Sequence, residues 1–122
     1  MLKAKLAHIN IKDVDEIRKD ENRTSWEIIS GRTVGSRNIS VGLNETYPGR
    51  MVPEHKHDNE EEVMYFISGQ GRFVTKDKEF DLIPGTVVYN PPGDPHKIIN
   101  TGKEVLRFIW MYSPQLQRQR NK

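Results

Sequence analysis

Three of the four histidines in this chain fall inside two short, glycine-bounded segments. The first carries Gly49, His55, His57, Glu62 and Gly69; the second carries Gly85, Pro91, Gly93, His96 and Asn100. Imidazole nitrogen and carboxylate oxygen are donors that a divalent first-row transition metal accepts, and only residues 70–84 separate the two segments. His55, His57, Glu62 and His96 therefore form a candidate site for one metal. A metal that prefers six ligands and takes four from the protein keeps two positions for water, dioxygen or a bidentate oxygen-bearing substrate. The chemistry on offer is polarisation of a carbonyl or enolate, or activation of oxygen. Fe, Mn, Ni and Cu accept such a donor set, and Zn does at lower coordination, so the donors leave the metal's identity open. Imidazole binds metal only when neutral, so occupancy is expected to fall as pH drops through the histidine range.

Donors that must converge need elements that aim them. His55 and His57 are two residues apart, a spacing that puts both on the same side of a strand and would splay them on a helix. The polar stretch Asp58-Asn59-Glu60-Glu61 lets the chain bend back so that Glu62 opens the next strand. Glu62 leads directly into Val63-Met64-Tyr65-Phe66 and should point inward, with Glu61 facing away and Glu60 in a solvated turn. His96 is delivered by Asn90-Pro91-Pro92-Gly93-Asp94-Pro95, in which three prolines fix φ and Gly93 permits a sharp turn. His8 has no neighbour at ligand spacing and is read as a strand or turn residue.

The surrounding pattern is one of short strands. From Ser36 to Tyr47, Ile39, Val41, Leu43, Glu45 and Tyr47 alternate with Asn38, Ser40, Gly42, Asn44 and Thr46. Further strands are expected at 62–68, 71–76, 86–89, 96–100 and 105–112, with turns at Pro48-Gly49, Gly69-Gln70-Gly71, Pro84-Gly85 and Pro91-Pro92-Gly93. No long segment has a 3.6-residue period. The reading is a single all-β domain over 1–122, a barrel or sandwich: an N-terminal strand and charged loop at 1–24, a barrel core at 25–113 and a basic, flexible tail at 114–122. Leu2, Ala4, Leu6 and His8 suggest an edge strand in the first part, and 13–24, with eight charged residues, reads as an exposed loop with at most one helical turn.

The two motifs resemble those of the cupin superfamily. Its first pattern, G-x5-H-x-H-x4-E-x6-G, reads GRMVPEHKHDNEEEVMYFISG here, and its second, G-x5-P-x-G-x2-H-x3-N, reads GTVVYNPPGDPHKIIN. All ten specified positions are filled, an agreement with a chance on the order of 10⁻¹³ when residues occur at about one position in twenty. The resemblance implies a double-stranded β-helix, or jelly-roll, barrel. It also implies that His55, His57, Glu62 and His96 occupy the four metal-binding positions. The short gap between motifs is similar to that of small single-domain microbial cupins. Cupins resemble one another in pairing an edge with a neighbour, so a homodimer is expected, with Leu2–Ile9 as the exchanged edge.

Strand parity selects the pocket. Met64 and Phe66 share the face of Glu62, Ile98 shares that of His96, and Phe108 and Trp110 share one face of the last strand, opposite Arg107, Ile109 and Met111. Tyr65 and the pair Asn38 and Ser40 are further polar pocket members. Such a pocket suits a small organic substrate. Dioxygenase-like oxidation stands ahead of decarboxylase, isomerase or lyase chemistry, with Glu62 as an acid or base, and a non-catalytic small-molecule-binding module is the alternative.

Composition narrows the remaining classes. Cysteine is absent, which removes disulfides, thiolate ligands and thiol nucleophiles. The apolar run Val105 to Tyr112 is far short of the ~20 residues a membrane helix needs, and no signal-peptide core precedes it, so a cytoplasmic protein without membrane contact is expected. Of the 19 basic residues, Arg118, Arg120 and Lys122 lie at the C-terminus, leaving 16 against 17 acidic residues. A near-neutral body argues against a nucleic acid partner.

Overall fold

Alternating burial along one strand sets the architecture. In Leu106–Ser113, the side chains of Leu106, Phe108, Trp110 and Tyr112 are buried while Arg107, Ile109 and Met111 are less so. The structure, a computed structural model, describes residues 2–121. Ten strands form: β1 Arg18–Lys19, β2 Arg23–Ile29, β3 Ser40–Thr46, β4 Met51–His55, β5 Glu61–Ser68, β6 Gly71–Val74, β7 Glu79–Leu82, β8 Val87–Asn90, β9 His96–Asn100 and β10 Leu106–Ser113. One short helix, α1 at Gly31–Val34, and 3-10 turns at Ile11–Asp13 and Gln117–Gln119 complete the elements. A six-stranded sheet runs β1-β2-β3-β10-β5-β8 and faces a four-stranded sheet β4-β9-β6-β7, all pairs antiparallel. This is the jelly-roll barrel.

The interior divides along the barrel. At one end Phe66, Phe73, Leu82, Ile98, Leu106 and Phe108 make an apolar core, with Phe66 and Phe108 at 4.7 Å and Phe73 stacked on Phe80 at 5.0 Å between ring centroids. Each such fully buried side chain contributes about 1.5–3 kcal/mol by leaving water. Toward the other end the inward positions turn polar. Ser40, Tyr112, Glu62 and Asn90 lie side by side across four adjacent strands, because Tyr112 pairs with both Ser40 and Glu62, and Glu62 pairs with Asn90. The inward row of β3 is its polar one: Asn44 donates to Thr46 Oγ1 at 2.8 Å and accepts from Ser25 Oγ at 2.7 Å.

Asn100 closes the second motif structurally. Its amide donates to the Thr46 and Glu104 carbonyls, at 2.9 and 2.8 Å, while its Oδ1 accepts from Gly102 N–H at 2.9 Å.

The ends of the chain depart from the sequence expectations. Leu2–Ile9 forms no strand, and Leu6 is fully exposed. Its weak alternation of Lys and Leu finds no ladder to join among the described residues. The charged stretch 13–24, expected to be a loop, contains β1 and the start of β2, because the Asp20 carboxylate accepts from the Asn22 and Arg23 N–H groups and turns the chain into a hairpin. Strands β2, β4 and β7 lie outside the strand set expected from alternation.

The C-terminal segment, expected to be flexible, is docked. Gln115, Leu116 and Gln119 are buried. Gln115 accepts from Gly31 N–H at 2.6 Å and donates to the Ser36 and Arg37 carbonyls at 2.9 and 3.2 Å, so one amide stitches the tail to α1 and the loop after it. Gln119 folds back to accept from Leu116 N–H at 2.9 Å. A basic composition gave no hint of these two buried amides. Gln115→Ala leaves the buried Gly31 N–H without its acceptor, an omission that costs about 1–3 kcal/mol. Urea denaturation is expected to show that loss, together with faster proteolysis within 115–121; an unchanged midpoint would mean the tail is not anchored there.

Candidate metal centre

The histidines reach the polar end of the barrel from two directions. His55 ends β4 and His96 opens β9, and the two are paired across the ladder. Their rings lie 4.5 Å apart. Each ring is oriented by its own backbone: His55 Nδ1 sits 2.9 Å from the Pro53 carbonyl and His96 Nδ1 sits 3.0 Å from the Asp94 carbonyl. An N–H donated to a carbonyl fixes the tautomer and leaves each Nε2 with its lone pair free. Glu62, from β5 in the opposite sheet, brings its Oε1 to 3.4 Å from His96 Nε2, and Asn90 Nδ2 lies 3.4 Å from both. Ligand atoms of His55, Glu62 and His96 all lie within 4.8 Å of one another. Two imidazole nitrogens and one buried carboxylate fit a divalent transition metal, and these residues would hold it.

His57 is placed differently. β4 ends at His55 after a register irregularity between Val52 and His55, so strand parity does not carry through to residue 57. The His57 ring stays close, 5.2 Å from His55 between centroids, but its Nε2 sits 3.1 Å from the Tyr112 hydroxyl. Its carbonyl accepts from Gly93 N–H at 2.7 Å, which ties the loop of the first motif to that of the second. Gly93 has φ 84°, a left-handed conformation that side-chain-bearing residues avoid, so the turn requires glycine here.

Burial lowers the pKa of His55 despite the Pro53 carbonyl, and it lowers that of His57 against the pull of Glu62. At His96 burial acts the same way but is outweighed by Glu62 and the Asp94 carbonyl, and the pKa is raised. The Tyr112 phenol is held well above the ordinary tyrosine value by burial and then by the Glu62 charge. Tyr112 is therefore protonated at neutral pH, with its hydroxyl 3.1 Å from His57 Nε2 and under the charge of Glu62.

A cavity of about 540 Å³ opens onto this cluster. Met64, Ile98, Phe108 and Trp110 line it, and the face of β10 that turns inward is the one bearing Phe108 and Trp110. Phe66, expected in the pocket, is not part of its lining; it is completely buried against Phe108, one step deeper in the apolar core. Tyr65 is on the outer face, as the alternation of β5 requires, and Asn38 is exposed; Ser40 is buried with an unpaired hydroxyl. The sequence reading did not place Tyr112 or Asn90 in the site. Period-two parity from Trp110 reaches Tyr112 directly, and Asn90 follows from its pairing with Glu62. It also omitted Arg18, Arg23, Arg32 and Arg118, all of which line the cavity. Arg118 had no signal in the sequence because only the docked tail brings it there.

The cupin domain family matches residues 43–112, more than half of the chain, and this protein belongs to that family. It is 37% identical over 62 residues to the oxalate-binding protein of Thermotoga maritima, 51% of each chain. A predicted oxalate decarboxylase structure, also from Thermotoga maritima, superposes with a TM-score of 0.79 at 22% identity, covering 89% of this chain and all of that one. The oxalate decarboxylase of Lactobacillus farciminis, solved as a formate complex, gives a TM-score of 0.76 at 27% identity over 86% of this chain and 32% of that one. The chain spans about half to three-fifths of the length of the first curated relatives it matches. Among the described residues, no helix is long and apolar enough to cross a membrane.

Proposed function

We propose that this cupin binds one divalent transition metal, Fe, Mn, Ni, Cu or Zn, through His55, Glu62 and His96, with His57 completing the set when its bond to Tyr112 is exchanged, and that it acts on a small organic carboxylate. The observation that carries the reading is the convergence of the two oriented Nε2 atoms and the buried Glu62 on the floor of a cavity. When bound, the metal supplies Lewis acidity toward a chelating carboxylate or carbonyl, and with a redox-active ion, oxygen chemistry.

The protein's own groups do the rest. Met64, Ile98, Phe108 and Trp110 keep one wall dry, which strengthens every charge interaction inside. The Tyr112 hydroxyl, beside His57 and held protonated by burial and the Glu62 charge, is placed to donate a hydrogen bond to an oxygen that gains charge. Glu62 serves as ligand and, where it is displaced, as a base. The oxalate-linked names of the relatives favour decarboxylation over the oxidation that the motifs alone put first. A binding module without turnover is the second reading, favoured by the description of the T. maritima relative as oxalate-binding. The exposed outer side chains Tyr65, Ile83, Val87 and Tyr89 on and beside the β8 edge support a homodimer.

The test uses protein loaded separately with Mn²⁺, Fe²⁺, Ni²⁺, Cu²⁺ and Zn²⁺ and supplied with oxalate. Equal yields of carbon dioxide and formate without oxygen uptake are the expected result. Oxalate binding without product would select the module, and the absence of both metal and oxalate binding would refute the proposal.

A further inference from the structure

Arginine is the residue of choice for recognising carboxylate and phosphate, and four of them line one cavity here. Arg32 is already committed: its Nε and Nη2 donate to the buried Glu27 carboxylate at 2.7 and 2.6 Å. The other three are not. Among the described residues, no carboxylate lies within ion-pairing distance of Arg18, Arg23 or Arg118, and none of their guanidinium groups donates to another protein atom. Asp20, the acid nearest in sequence to Arg18 and Arg23, spends its carboxylate on the backbone N–H groups of Asn22 and Arg23. The carboxylates that line the cavity, Glu54 and Glu62, come from β4 and β5, the strands that carry the metal donors.

Three unpaired cations converging from β1, β2 and the docked tail repel one another. Arg23 is partly withdrawn from water, and its pKa is lowered first by that burial and then by the charge of Arg18, an effect that Asp20 and Tyr112 oppose and Arg118 reinforces. Such an arrangement is stable only weakly by itself and strongly with an anion between its members.

We infer that Arg18, Arg23 and Arg118 form an anion subsite at the cavity mouth, so that the ligand carries a second acidic group, carboxylate or phosphate, beyond the end that meets the metal. The inference rests on the proposed metal-end reading for the first group only. The preferred ligand is then longer than oxalate, which would occupy the metal end alone, and is held at both ends with the apolar wall of Met64, Phe108 and Trp110 between them. It also gives the C-terminal segment a role in recognition: Gln115 and Gln119 lock the tail so that Arg118 faces the cavity.

Calorimetric titration of the Mn²⁺-loaded protein with pyruvate, 2-oxoglutarate and 3-phosphonopyruvate tests this, alongside titration of the metal-free protein with inorganic pyrophosphate. Pyruvate offers the 2-oxo acid head group alone, 2-oxoglutarate adds a carboxylate at the far end and 3-phosphonopyruvate adds a phosphonate there, so the tighter of the last two identifies the second group. Arg23→Gln and Arg118→Gln are each expected to weaken the preferred two-ended ligand roughly ten- to a hundredfold while leaving pyruvate unchanged. Lys76→Gln, an equal change in charge on an exposed hairpin, is expected to do nothing. Should either variant fail to fold, Arg18→Gln at an exposed position replaces it. If the loaded protein binds none of the three acids but the metal-free protein binds pyrophosphate in an Arg23- and Arg118-dependent way, the metal-end reading fails and the anion subsite stands. Arginine variants that bind every ligand as the parent does, or that lose no more than Lys76→Gln, would overturn the subsite.

Discussion

His55→Ala, Glu62→Gln and His96→Ala are each expected to reduce bound metal from one ion per chain to a small fraction of that, whereas His57→Ala weakens binding only about 10–100-fold, the range typical of a residue that orients rather than anchors. The sequence motif treats the four positions alike, and the geometry separates them. His55 and His96 present Nε2 atoms whose tautomers are fixed by carbonyls two residues upstream, and Glu62 Oε1 is already 3.4 Å from one of them. Their arrangement costs little further ordering when the ion arrives. His57 must first give up its contact with the Tyr112 hydroxyl at 3.1 Å. Tyr112→Phe removes that competitor, so it is expected to preserve or tighten metal binding while impairing turnover. Elemental analysis after dialysis against a graded chelator series reads all five proteins. Equal losses at His57 and His96 would show that His57 is an anchor and that the Tyr112 contact is readily exchanged.

Much of this site was legible because the motifs are local rules. The alternation that puts Glu62, Met64 and Phe66 on one face of β5 holds in the structure, and Ile98 follows His96 as parity requires. Phe66 fails as a pocket residue for a reason parity cannot see: how far along the barrel the cavity extends depends on where Phe108 packs against it. His57 lines the same cavity as His55 but lies beyond the end of β4, where its Nε2 meets the Tyr112 hydroxyl, and strand ends are set by ladder partners, here β9, that are distant in sequence.

The termini were misread for a different physical reason. Composition marks 114–122 as basic and solvated, but its docking depends on the Gln115 amide finding specific backbone groups some eighty residues away. Glutamine carries no charge and little hydrophobicity, so nothing in a local window distinguishes an anchoring Gln115 from a surface one. The same docking supplies Arg118, and the unforeseen hairpin of β1 and β2 supplies Arg18 and Arg23. The histidine and carboxylate end of the cavity was thus written in motifs, while its cationic end came from segments with no motif. In this chain the barrel strands hold the histidine and carboxylate donors through their pairing, and the docked tail and the β1–β2 hairpin carry the arginines.

Gly42→Ala is expected to be among the most destabilising single substitutions in the chain, at about 3 kcal/mol or more, the upper end of the overpacking range. Gly42 on β3 pairs directly with Trp110 on β10, and both face the interior. A Cβ built there would overlap both the Trp110 ring and the Trp26 carbonyl oxygen. Neither neighbour is the loose end of a flexible chain: the indole is wedged in the cavity wall, and the carbonyl belongs to the β2 backbone next to the bulge between Glu27 and Ile29. The ring must therefore swing into the cavity or the β2–β3 ladder must part. Gly102→Ala provides the control, since its Cβ would meet Gln70 at an ordinary 3.4 Å. Urea denaturation should place Gly42→Ala well below Gly102→Ala, with a fall in Tm of roughly 10 °C or more. Where the variant folds, metal content should survive, because the donors come from β4, β5 and β9, while ligand binding should fall as the displaced indole fills the space between metal and arginines. Equal stability of the two alanine variants would show that the Trp110 ring does not lie over Gly42, and the cavity wall described here would then be wrong at its most constrained point.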